Sequence, residues 1–181
     1  MIEGKSVLAV ILARGGSKRV PRKNLREYRG TPLIQLAYDV ALQSQYIDFV
    51  VLSSDDEEIL AYADSLSLPR IKRPAELATD TATSEDALRH AIHTFNDFPH
   101  WIVLLQPTSP NRTVEDIDGC IETSKMGDGC ISTLHGEPNG AVYVAKSEWL
   151  IDHNFSDPGL FKYAMEASHS LDIDHEEDFS K

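Results

Sequence analysis

A chain of 181 residues with 41 % hydrophobic side chains can fill one core but not two, so a single domain is expected. Its net charge of −12 argues against a nucleic-acid polymer as partner: residues 1–30 carry eight Lys or Arg against two Glu, and the remainder sums to −18. No apolar run approaches a bilayer span, the start MIEGKSVLAV lacks the features of a secretory leader, and Cys120 and Cys130 stand ten apart without a zinc pattern; a cytoplasmic protein with no membrane association is expected.

In chain order, SVLAVILA (6–13) is a near-continuous apolar run, the mark of a parallel strand buried on both faces. LIQLAYDVALQS (33–44) has helical apolar spacing with Pro32 at its mouth. DFVVLSS (48–54) reads as a second buried strand, and DDEEILAYADSL (55–66) as a helix capped by Ser54 or Asp55. Helices over 84–95 and 113–124, the latter capped by Thr113, flank a strand at WIVLLQ (101–106), and short strands at 129–133 and 140–145 follow. This alternation predicts a three-layer α/β/α, doubly wound, mostly parallel sheet. Ligands collect at the carboxyl ends of such strands, so the loops 14–24, 54–56 and 106–112 are expected to share one cleft.

The first of these loops, ARGGSKRVPRKN (13–24), concentrates five cations and a glycine pair in an acidic chain. Gly15 and Gly16 would let backbone N–H groups face a ligand, while Arg14, Lys18, Arg19, Arg22 and Lys23 supply charge for a polyphosphate. Neither GxxxxGK[ST] nor GxGxxG is present, which argues against a P-loop kinase and a dinucleotide enzyme. A solvated surface loop is the competing reading, weakened by the buried strand directly before it.

Together with SSDDEEI (53–59), RPAELATD (73–80), LLQPTSPNR (104–112), NGAVYV (139–144) and DID (172–174), that loop resembles the acylneuraminate cytidylyltransferases, the CMP-sialic acid synthetases and their legionaminic and pseudaminic acid relatives. The resemblance implies transfer of CMP from CTP to the anomeric hydroxyl of a nine-carbon sugar acid, with release of pyrophosphate and dependence on Mg²⁺. It places Gly15, Gly16, Ser17 and Lys18 at the triphosphate, Arg14 at the α-phosphate, and Asn24, Arg73, Asp80 and Ser84 at the nucleotide. Loop and helix-cap roles are the competing reading for Asp80 and Ser84. Gln106 and Asn139 would meet the acceptor sugar; Asn139 followed by Gly is also a routine turn. Thr108 and Ser109 are weaker candidates with hydroxyls aimed at the cleft, and a surface arginine accounts for Arg112. Asp172 and Asp174 point to one side if DID is extended and would bind Mg²⁺, with Asp174 also catalytic; a solvated acidic tail is the competing reading.

The resemblance also implies an arm between CISTLH and NGAVYV that packs on a second subunit and lends basic residues to its sugar pocket. Only three residues stand there, so a homodimer is doubtful. A CTP-binding homologue without turnover therefore stays open beside the active transferase.

Overall fold

The computed structural model describes residues Met1–Lys181. The elements are β1 (Val7–Leu12), β2 (Glu27–Tyr28), β3 (Thr31–Pro32), α1 (Leu33–Ala41), β4 (Phe49–Ser54), α2 (Glu57–Ser65) and β5 (Arg70–Lys72). There follow α3 (Ser84–Thr94), β6 (Trp101–Leu105), α4 (Val114–Ser124), β7 (Gly129–Leu134), β8 (Glu137–Lys146), α5 (Ser147–Leu150) and β9 (Phe161–Ala164). β2 and β3 form a small hairpin; the other seven strands make one sheet in the order β5-β4-β1-β6-β8-β7-β9. β5, β4, β1 and β6 run parallel, β8 is antiparallel to both neighbours, and β9 is parallel to β7. No helix is long and apolar enough to cross a membrane.

The apolar runs behave as a sheet covered on both faces requires. From β1, Val7, Ala9 and Ile11 enter one core, packed with residues of α1, α2 and α4, while Leu8 and Val10 enter the other with residues of α3 and α5. β6 divides in the same way, Trp101, Val103 and Leu105 to one side and Ile102 and Leu104 to the other. After β5 the chain crosses back to place β6 on the other flank of β1, so the sheet reverses its winding at β1. A crevice opens beyond the carboxyl end of a strand at such a reversal, and there the cationic loop begins.

Several expectations change. α2 is capped by Asp56, whose carboxylate accepts from Glu58 and Ile59 N–H at 2.9 and 3.0 Å, because Ser54 Oγ accepts Asp56 N–H and Asp55 turns elsewhere. α1 ends at Ala41, three residues early, in a run of tight turns. β5 and β9 were not expected: β5 buries only Ile71, and β9 is an exposed edge. The β7–β8 turn is His135–Gly136, both at positive φ, and Asn139–Gly140 lies inside β8, where the register with β7 shifts. Thr113 caps α4 through a reciprocal box with Asp116.

Candidate active site

Beyond Leu12 lies a cleft of ≈ 330 Å³ whose walls come from the first loop (Arg14, Ser17, Lys23, Asn24), the segment leading into α3 (Arg73, Thr79, Asp80, Ser84) and the end of β6 (Gln106, Thr108). A hollow of ≈ 350 Å³ extends from it past Lys18 and Arg19 to Asp174. Another, of ≈ 540 Å³, shares Gln106 and holds Asn139, Tyr143, Ser170 and Asp172. These cavities touch most of the residues singled out from sequence. The 54–56 loop does not line them, contrary to expectation, because its side chains are spent behind the first loop.

Gly15 shows how. Its N–H donates to Asp55 Oδ1 at 3.1 Å, and a Cβ added to it would sit 2.4 Å from Asp56 Oδ2. The glycine is thus required by the close approach of two acidic side chains, and its N–H is not offered to a ligand. The N–H of Gly16 has no protein acceptor, and no atom lies within 4 Å of where its Cβ would be.

The loop cations are matched by acids from distant segments. Asp80 meets Arg14 Nη1 at 3.0 Å and also pairs with Lys18; Asp174 meets Arg19 at 3.0 Å and Lys23 at 3.2 Å; Glu58 pairs with Arg22. Lys18 first and Arg14 second hold the Asp80 carboxyl below the usual carboxylate range. Asn24 is buried and donates to the Arg14 carbonyl at 3.0 Å, which leaves its Oδ1 for other partners.

Arg73 differs from all of these. It is 6 % exposed, none of its guanidinium nitrogens has a protein acceptor, and Nε and Nη2 are fully enclosed. Burial pulls its pKa down, the nearby Asp55 opposes this and Arg14 adds to it. A cation buried at a cavity wall without a partner is a site shaped for an anion.

Asp172 and Asp174 flank Ile173, which is fully buried and whose N–H donates to the Thr108 carbonyl at 2.8 Å. The segment is not a strand, and the two carboxylates open on different hollows. Crowding by surrounding protein pushes the Asp172 carboxyl up; the Thr108 hydroxyl opposes that and the Asp174 charge reinforces it. No cluster of three or more His, Cys, Asp or Glu side chains is placed to hold a metal. The expected extended DID with both carboxylates on one side is therefore not formed, and Asp174 already has Arg19 on one oxygen and Lys23 on the other, so a divalent cation here would have to displace those cations and take most of its ligands from water and substrate phosphate.

Three residues sit differently from their sequence reading. Asn139 lines the larger hollow, but its amide is consumed by Ser132 Oγ (2.6 Å), Ala141 N–H (3.3 Å) and Ser170 Oγ (3.1 Å), so it braces the β8 bulge. Ser109 is buried with its hydroxyl enclosed, and does not face the cleft. Arg112, expected at the surface, is 4 % exposed. Tyr143 and Ser170 also line the larger hollow; the alternation of NGAVYV, which sends Val142 and Val144 into one core, is the sequence signal that turns Tyr143 the other way.

A family model described as cytidylyltransferase matches residues 8–151. The chain belongs to the cytidylyltransferase family. Among its relatives, the N-acylneuraminate cytidylyltransferase of Escherichia coli O18:K1:H7 is 30 % identical over 96 % of this chain and 50 % of its own length. The CMP-N,N'-diacetyllegionaminic acid synthase of Legionella pneumophila is 30 % identical over 93 % of this chain and 90 % of its own. The pseudaminic acid cytidylyltransferase of Campylobacter jejuni is 45 % identical over 47 % of this chain and 37 % of its own. The chain thus spans about half the length of the N-acylneuraminate cytidylyltransferases it matches. Among solved structures, CMP:2-keto-3-deoxy-manno-octonic acid synthetase complexed with CTP superposes with a TM-score of 0.76 at 16 % identity, over 94 % of this chain and 93 % of that one. A Mycobacterium tuberculosis protein in complex with manganese gives 0.70 at 18 %, over 97 % and 96 %. At such identities these two establish the fold.

Proposed function

We propose that this protein transfers CMP from CTP to the anomeric hydroxyl of a sialic-acid-like nonulosonic acid and releases pyrophosphate. The observation that carries the reading is Arg73, a buried guanidinium without a partner, opening on a cleft whose other walls hold Arg14, Asn24 and Ser84. The named functions of the relatives and the CTP complex of the similar fold support the same assignment.

In this reading the nucleotide lies in the cleft with Arg73 and Arg14 on its phosphates and Asn24 Oδ1 and Ser84 toward the nucleoside. Gly16 N–H, Ser17 and Lys18 hold the outer phosphates, and Arg14 and Lys18 stabilise charge as pyrophosphate departs. Gln106, whose side-chain amide has no protein partner, stands between the nucleotide cleft and the acceptor hollow and would orient the sugar. Asp172 and Asp174 would hold Mg²⁺, which supplies charge neutralisation and a lowered pKa at the attacking hydroxyl. A similar fold with manganese supports a divalent ion of this kind.

The acceptor hollow contains no Lys or Arg; its charged residues are Glu137 and Asp172. The alignment with the E. coli relative spans 213 positions, more than the 181 residues here, so that relative carries segments without a counterpart. With a two-residue turn joining β7 to β8, we read this chain as a single domain lacking the family's dimer arm, and its acceptor preference as altered. It would work in the cytoplasm.

Pyrophosphate release from CTP and Mg²⁺ with a panel of nonulosonic acids tests the proposal. Release with at least one acceptor is expected. CTP binding without release on every acceptor would identify a nucleotide-binding homologue instead, a reading that the transferase and synthase names of the relatives disfavour.

A further inference from the structure

Arg112 closes the loop after β6 and precedes the cap of α4. Its Nη1 donates to the Gln106 carbonyl at 3.1 Å and to the Ala141 carbonyl at 2.6 Å, while Nε is enclosed without a partner. The adjacent carboxylate, Asp116, turns Oδ2 to Thr113 N–H (2.9 Å) and Thr113 Oγ1 (3.0 Å), with His169 Nδ1 3.1 Å away, and makes no hydrogen bond or ion pair with Arg112. Burial therefore dominates, and it pulls the guanidinium down to about 10, with Asp116 only partly opposing. A buried cation that lacks its own counter-ion is costly, and an apolar side chain of similar volume would suit the fold better. What the guanidinium supplies is the pair of carbonyl contacts.

Those two carbonyls sit where the sheet opens. β6 and β8 pair antiparallel as far as Leu105↔Val142, and the next pair outward, Gln106 opposite Ala141, makes no ladder. One nitrogen of Arg112 bonds both carbonyls and takes the place of the missing rung. Just beyond it, Gly140 lies at φ +78° in the β8 bulge, and a Cβ there would be 3.7 Å from Gln106 Oε1. Gln106 and Gly140 both line the acceptor hollow, so a clip on the Gln106 and Ala141 carbonyls lies directly behind two of its wall residues.

We propose that Arg112 is a positioning residue for acceptor recognition, acting through Gln106 at the point where β6 and β8 part. The proposal rests on the reading that Gln106 meets the acceptor. Arg112→Met is expected to raise the acceptor KM by about 10- to 100-fold while the KM for CTP stays within about 2-fold, and Arg112→Lys to recover part of the loss. Adding Gln106→Ala to Arg112→Met should cost nothing further, because both act at one contact. Equal rises in both KM values, or additive losses in the double variant, would overturn the assignment. If Arg112→Met does not fold, the same cycle with Arg112→Lys decides. Should the wild type turn over no acceptor, the functional reading has failed, and Arg112 is then judged by crystal structures of wild type and variant. Gln106 displaced and the strands parted beyond Leu105 would sustain the clip, and an unmoved Gln106 would defeat it.

Discussion

Arg14 and Asp80 meet at 3.0 Å although 66 residues separate them, and Lys18 closes on the same carboxylate. The pair bridges the first loop to the segment before α3, at the rim of the cleft. All three side chains are substantially exposed, so the bridge adds little to folding. Its consequence is competition, since the cations assigned to phosphate already hold an anion. Lys18 and Arg14 keep Asp80 below the ordinary carboxylate range, so it stays ionised throughout the neutral region. Asp80→Asn should leave the thermal midpoint unchanged and tighten binding of inorganic tripolyphosphate severalfold at low salt. Calorimetric titration checks this, and unchanged affinity would count against the competition.

Arg73 predicts an opposition between stability and binding. Its enclosed Nε and Nη2 gain nothing from the fold, and its charge is held in a low-dielectric wall. Arg73→Met should be no less stable than the wild type. It should also weaken CTP by about 10- to 100-fold, the equivalent of about 1.5–3 kcal/mol for a charge-assisted contact. Denaturant melts and nucleotide titration on one preparation read both halves; a destabilised variant that binds CTP normally would contradict each.

The two glycines of the first loop should respond differently to alanine. At Gly15 the new methyl would fall 2.4 Å from Asp56 Oδ2 and 2.8 Å from Asp56 Cβ, against the cap of α2. Gly15→Ala should cost about 1–2 kcal/mol by disturbing that cap or the loop. Gly16→Ala meets nothing within 4 Å and should fold as the wild type does. Equal midpoints in urea for both variants would remove the packing explanation.

Near the C-terminus, Asp178 ties down the segment that carries the two aspartates of the site. It accepts from Lys181 Nζ (2.6 Å), His175 N–H (2.7 Å) and Asp174 N–H (2.9 Å), which together depress its pKa well below the carboxylate range. A depressed acid stabilises the fold above its unfolded value, about 3.9, and loses that contribution as pH falls toward the folded one. Asp178→Asn should therefore melt below the wild type at neutral pH, with the gap closing below about pH 4. A gap independent of pH would show that charge is not its source.

The double-sided burial of β1, β4 and β6 was legible because a strand covered on both faces needs an unbroken apolar run, and that run is local. The capping of α4 by Thr113 was equally local. β5 and β9 escaped because each is short and buries little, so their pairing is set by neighbours that the sequence window does not contain. Asn139 was read as a sugar contact, and its amide proved to be consumed by Ser132 and Ser170, residues 7 and 31 positions away. The clustering of Arg14, Asn24, Arg73, Ser84 and Gln106 could be expected from strand tips facing one way, yet which acids would neutralise the loop could not.

Residue order alone determined the layered α/β architecture, the cationic loop at the tip of β1 and the family, because periodicity and motif spacing are properties of contiguous chain. Tertiary structure decided that Asp55 and Asp56 stand behind Gly15, that Arg73 is left without a partner and that Arg112 spans two parting strands. Those outcomes depend on which groups of separate elements reach one another, up to 40 residues apart in the contacts of Gly15 and Arg112, where desolvation and close approach govern and local pattern says nothing.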